Sequence, residues 1–140
     1  MFSIENYEGR LIEARLASPF SDLEVEACIN RIRTLVMAQT QKVVFCVDTT
    51  GVTVLPPEIA DKFLAMMRAD NPRVERTVYL LPPQSAIVGL QIERLIRDAK
   101  NPARRTYRET PAAEAWLNEV LSPREQERLK QFLQSLPKTA

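Results

Sequence analysis

Five apolar residues in a row, Val43-Val44-Phe45-Cys46-Val47, ended by Asp48, constrain this chain more than any other feature of it. A strand with one face in water alternates apolar and polar side chains. A run without alternation is a strand buried on both faces, and such strands sit in parallel sheets covered by helices. The residues that follow fit this reading. Thr49-Thr50-Gly51 is a small polar turn, and Pro56-Pro57-Glu58 opens a helix. Proline is tolerated in the first turn of a helix, and an acid there suits the helix dipole.

The rest of the chain arranges itself around that strand. Ile4 to Tyr7 predicts a short strand, Glu8-Gly9 a turn, and Leu11 to Ala17 a second strand whose alternation reads as half-exposed and edge-like. Ser21 and Glu24 form a capping box for a helix with Val25, Cys28, Ile29, Ile32, Leu35 and Val36 on one face, ending near Gln41. After the central strand, Ile59, Ala60, Phe63, Leu64 and Met67 make the buried stripe of a helix that Asn71-Pro72 stops. Val74 to Leu81 is a third main strand, and Pro82-Pro83-Gln84-Ser85 a turn at its end. The next helix carries Ile87, Val88, Ile92, Leu95, Ile96 and Ala99 on its apolar face. Ala103 to Arg108 is a last, exposed strand. Thr110-Pro111 opens a helix with Ala115, Trp116, Val120 and Leu121, and Ser122 to Glu125 caps a final one with Leu129, Phe132, Leu133 and Leu136.

The order ββαβαβαβαα predicts an α/β fold. Its mostly parallel, mixed sheet has about four to five strands, with an N-terminal hairpin, helices packed on it and an appended C-terminal helix. Residues 1–121 read as one α/β domain and 122–140 as a helical extension of it, which either closes the sheet's open face or docks on another subunit.

Composition removes several chemistries. With no histidine among 140 residues, Ser-His-Asp triads, Cys-His nucleophiles and His-based metal sites are excluded together. The three glycines form neither a dinucleotide fingerprint nor a phosphate loop, so no cofactor is expected. Cys28 and Cys46 fall in predicted core positions, as small buried hydrophobes. The net charge of +1 gives no general pull toward nucleic acid or a membrane surface. No apolar run approaches the roughly 20 residues that span a bilayer. The N-terminus has no signal-peptide pattern, so a cytoplasmic location is expected.

Candidate sites lie beyond the carboxyl ends of the strands, where open α/β sheets bind ligands. Asp48 with Thr49, Thr50 and Thr53 presents hydrogen-bonding groups to a ligand or partner, or else Asp48 caps its own turn. A catalytic role would need a cleft joining Asp48 to a hydroxyl such as Ser85. Carboxylate pairs such as Glu24 with Glu26 read as a solvated face, so no catalytic residue is expected. Six basic residues and two acids lie between Glu93 and Arg108, including Arg97, Arg104, Arg105 and Arg108. They form a basic patch, for solubility or for an acidic partner. With Tyr107 the only interleaved aromatic, nucleic acid is not expected. Met66, next to Met67 of the buried stripe, sits at the rim of its helix as an adaptable contact residue or a partly covered one.

The stretch VVFCVDTTGVTVLPPEIADKF resembles the core of STAS domains, the fold of anti-sigma-factor antagonists and sulphate-transporter tails. Asp48-Thr49-Thr50-Gly51-Val52 matches that family's Asp-Leu-Ser-Gly-Val turn. Pro56-Pro57-Glu58-Ile59 stands where the family has Asp-Ser-Ser-Gly, so Pro57 takes the place of the regulatory phosphoserine, and proline carries no phosphate. YEGRLIEARL, RTVYLLPP and ARRTYRETPAAEAWL, with Ala113, Trp116 and Leu117, resemble the divergent SpoIIAA-like branch of the superfamily. The resemblance covers about residues 2–121 and leaves out the last helix.

The resemblance implies a non-enzymatic, bacterial signalling module acting through protein–protein contact. The implied surface comprises Asp48, Thr50, Gly51, Val54, Pro57, Glu58, Lys62 and Met66. Thr49, Thr50 or Thr53 could carry a phosphate in place of the missing serine. An alternative implied by the same branch is a small apolar ligand, such as a lipid, held between the sheet and the last helix. A homodimer through the strand near 103–108 or the C-terminal helix is a further expectation.

Overall fold

The computed structural model describes residues 1–137. Strands β1 (Phe2–Glu8) and β2 (Leu11–Ala17) form the N-terminal hairpin. Helix α1 (Asp22–Met37), β3 (Val43–Gly51), α2 (Pro57–Asp70), a 3-10 turn (Asn71–Arg73), β4 (Val74–Leu80), α3 (Ala86–Ala99), β5 (Arg104–Tyr107), α4 (Thr110–Asn118) and α5 (Pro123–Gln134) follow. The strands make one sheet in the order β1-β2-β3-β4-β5, antiparallel between β1 and β2 and parallel elsewhere. The element order and the mixed sheet are those the sequence predicts.

The central strand is buried on both sides. Val43, Phe45 and Val47 enter one core with α1, α2 and α3, while Val44 and Cys46 enter a second core with α4 and α5. Each fully buried aliphatic side chain contributes about 1.5–3 kcal/mol relative to exposure. The two thiols lie in different cores, on opposite faces of the sheet, and both are free. Burial pushes the Cys28 thiol up to about 11, and pushes Cys46 higher still, with Asp48 and Glu13 adding to the effect.

Several expectations are corrected. β2 is not an edge: it lies between β1 and β3, and Leu11, Ile12, Glu13 and Ala14 are all buried. Its polar face is covered by α5, whose Arg128 binds both oxygens of Glu13 at 2.5 and 2.8 Å, while Arg15 stacks 5.1 Å from the ring centre of Phe132. β3 runs on through Thr49 and Thr50 to Gly51, because Asp48 still pairs with Arg15 and Leu80, and Gly51 with Ala17. α1 stops at Met37, and Gln39 instead donates to Asn6 Oδ1 and Gly9 O. Ser21 caps α1, but the Glu24 carboxylate pairs with the Met1 ammonium at 2.8 Å, so the box is half made.

At α5 the box is complete: Ser122 and Glu125 bond reciprocally, and Glu125 also accepts from the Arg10 amide at 2.7 Å. Gly9 turns with φ of 53° directly against the Glu125 carboxylate, where a Cβ would collide. The final helix therefore packs on its own chain's sheet. Positions 138–140 of the expected extension lie outside the described residues.

Candidate functional site

The carboxyl end of β3 organises the site. Asp48 is buried, and its Oδ1 accepts from the Thr50 amide at 2.9 Å and the Thr50 hydroxyl at 2.6 Å. It caps its own turn. Thr49 is also buried and donates to Leu80 O at 2.6 Å, tying β3 to β4. The loop beyond is held from both sides. Thr53 N donates to Ser18 Oγ, and the Gln91 amide of α3 bonds both N and O of Leu55, at 3.0 and 2.8 Å.

That clamp leaves Gly51, Thr53, Val54, Pro57 and Glu58 exposed at one end of the molecule. Thr50 is half-buried, and Lys62 is half-buried in an ion pair with Glu26 of α1 at 3.1 Å. Val54 is 50% exposed, and Ile87 and Leu90, on the α3 turn just before Gln91, are 64% and 67% exposed. Ile87 is thus not in the core as expected. The buried stripe of α3 is Val88, Ile92 and Ala99, and Ile87 precedes the sheet-facing part of its turn. Thr50, Val52, Thr53 and Pro82 to Ser85 line an open crevice of about 400 Å³ between the β3 and β4 ends. Asp48 does not line it, so Asp48 and Ser85 are not joined across a cleft.

A second feature lies under α2. An apolar cavity of about 70 Å³ separates the sheet from α1, α2 and α3, walled by residues such as Ala14, Phe45, Phe63, Met66 and Leu95. It is on the face opposite the last helix, where the pocket was expected, because α5 fills its own face with Leu129 and Phe132. Met66 is half-buried and turned into this cavity rather than onto the outer surface.

Arg104 stands in the cavity wall and is 5% exposed. Nη1 donates to Tyr79 Oη at 3.1 Å and Thr77 Oγ1 at 3.5 Å, and Nη2 donates to Met67 O at 3.1 Å and Asn71 Oδ1 at 3.2 Å. Nε also reaches Asn71 Oδ1, at 3.3 Å. Every one of these acceptors is neutral. Asp70, at the cavity edge, has its carboxyl raised above the usual range by burial, against the opposing pull of Arg104.

The expected basic patch is therefore dispersed. Successive residues of a strand point to opposite faces. Arg104 goes inward beneath α2, while Arg105 goes to the other side, 4.4 Å from the ring centre of Trp116. Arg108 folds back to Pro82 O at 2.7 Å, and Arg97 is exposed on α3. Among the described residues no group of histidine, cysteine or carboxylate side chains could hold a metal ion, and no helix is long and apolar enough to cross a membrane.

The sequence matches no protein-family model and no curated protein. The structure does find a counterpart: the anti-sigma factor antagonist SpoIIAA in its unphosphorylated form, at a TM-score of 0.60 and 17% identity, over 87% of this chain and all of that one. The chain has a STAS-like fold. On that fold, the β3–α2 loop, the exposed apolar residues of α3 and the cavity beneath α2 are the features left without a purely structural purpose.

Proposed function

We propose that this chain is a non-catalytic regulatory module that works by contact with a protein partner, through the STAS-like end formed by the β3–α2 loop and the start of α3. The observation that carries this reading is the grouping of Val54, Ile87 and Leu90, exposed on a loop and helix clamped together by Gln91. Rigid apolar side chains held at one end of a molecule suit a protein interface, where a few anchors supply most of the binding energy. The structural likeness to an anti-sigma factor antagonist supports the same reading. Pro57 in the first turn of α2 leaves no hydroxyl there, so contact would run without the phosphoserine switch of STAS domains. Thr53 is the one of the three loop threonines that is exposed, and a phosphate on it would add negative charge ahead of α2.

Photo-crosslinking tests the surface. A crosslinking residue at Val54 or Ile87 should yield one discrete protein adduct in native lysate. The same residue at Met37, exposed at the far end of α1, should yield none. Equal labelling from Met37, or no adduct from Val54 and Ile87, would overturn the reading.

A second reading, ligand binding, is favoured by the cavity beneath α2. Protein interiors are close-packed, and an apolar void loses contacts on all its walls. A bound apolar group would restore them.

A further inference from the structure

We propose that the cavity beneath α2 takes a small aliphatic monocarboxylate, its chain against Phe45, Phe63, Met66 and Leu95 and its carboxylate toward Arg104, an inference that rests on the ligand-binding reading. The size of the cavity sets the body of the ligand. Its volume of about 70 Å³ is roughly half that of the engineered apolar cavity of ~150 Å³ that admits benzene, so the chain is short. Met66 and Met67 in the wall have the flexibility to adjust to it. The chemistry of the lining excludes polar ligands: a sugar or nucleotide would be stripped of water and given almost no partners.

The head is set by charge. Arg104 is a buried cation on the wall, and among the described residues it makes no ion pair. Its hydrogen-bond acceptors are neutral, and Asp70 in the same wall attracts it without forming an ion pair, so the charge is only partly offset, and an incompletely compensated buried charge is costly. The carbonyl of Met67 and the side chain of Asn71, at the C-terminal end of α2, hold the guanidinium in place. Nη1, whose contact with Thr77 Oγ1 at 3.5 Å is the longest of the set, is the donor a carboxylate oxygen would take over. A carboxylate oxygen there accepts a charge-assisted bond, which the oxygen of an amide or alcohol cannot match. A phosphate would satisfy the charge but leave the apolar walls uncovered.

Titration calorimetry of the full chain with propanoate and with propanamide, which differ in charge and not in chain, tests this. Wild type is expected to bind propanoate saturably and at least about tenfold more tightly than propanamide. Arg104→Gln should bind the two equally. Should that variant not fold, Ala14→Val, which narrows the chain end of the cavity and leaves Arg104 alone, should weaken propanoate about tenfold. Equal affinity for the two ligands in wild type would overturn the role of Arg104 while leaving a neutral apolar ligand in the cavity. No binding of either would overturn the inference together with the ligand-binding reading.

Discussion

The two faces of the central sheet are built on the same strands and treat space and charge in opposite ways. On the α4–α5 face the buried carboxylate Glu13 is matched by Arg128, and Glu125 closes a complete capping box and an Arg10 amide bond. The guanidinium groups of Arg76 and Arg105 lie over the Trp116 ring, 4.6 and 4.4 Å from its centre. On the α1–α3 face a buried arginine has only neutral partners, and a cavity lies beside it. A face completed by its own chain is a structural face. A face that keeps a buried charge without an ion pair, and unfilled volume, is where a ligand has something to add.

The sharpest way to break this contrast is to remove each face's arginine. Arg128→Gln leaves Glu13 buried and unpaired, and should cost about 3–5 kcal/mol in urea unfolding. Arg104→Gln leaves neutral acceptors short of a donor and takes the nearby attraction away from Asp70, which is not ion-paired, and should cost about 1–3 kcal/mol. Equal costs would mean that Arg104 is matched as fully as Arg128. Filling space gives the next largest effect, with opposite signs on the two faces. Ala113→Val on the packed face should destabilise by about 1–3 kcal/mol. Ala14→Val, into the cavity, should stabilise by about 0.5–2 kcal/mol.

Asp70 sharpens the account of the cavity edge. Its folded-state carboxyl lies above the unfolded value of 3.8, so the folded chain holds a proton that the unfolded chain releases. Stability from this group is present below about pH 3.8 and lost as pH rises through the folded value. Asp70→Asn should therefore flatten that part of the pH–stability curve and raise neutral-pH stability, by less than about 1 kcal/mol because solvent screens the group. The smallest effect belongs to the contact surface. Val54→Asp should change stability by no more than about 0.5 kcal/mol while abolishing the crosslink reported from Ile87.

Much of the architecture was legible in the chain. The unbroken Val43–Val47 run announced a strand buried on both faces, and Ser122 with Glu125 announced the last helix. The status of β2 was not legible, because its polar residues find their partners 115 positions away, where Arg128 meets Glu13. Within the site, Asp48 could be read either as a presented carboxylate or as a cap, and local sequence could not show that β3 would run on past it. Arg104 and Arg105 look alike in sequence. Only the helices covering each side of β5 make one a buried cation and the other a surface cation over Trp116. The cavity is missing volume among eight elements, all five strands and the helices α1 to α3, and no local pattern encodes that.

The most direct measurement is methyl NMR of the full chain, labelled at methionine, isoleucine and leucine, during a propanoate titration. Saturable shifts are predicted at Met66, Met67 and Ile92, around the cavity, with Leu117, Leu121 and Leu129 on the packed face unmoved. Shifts spread over both faces, or confined to the α4–α5 face, would contradict the asymmetry on which the account rests.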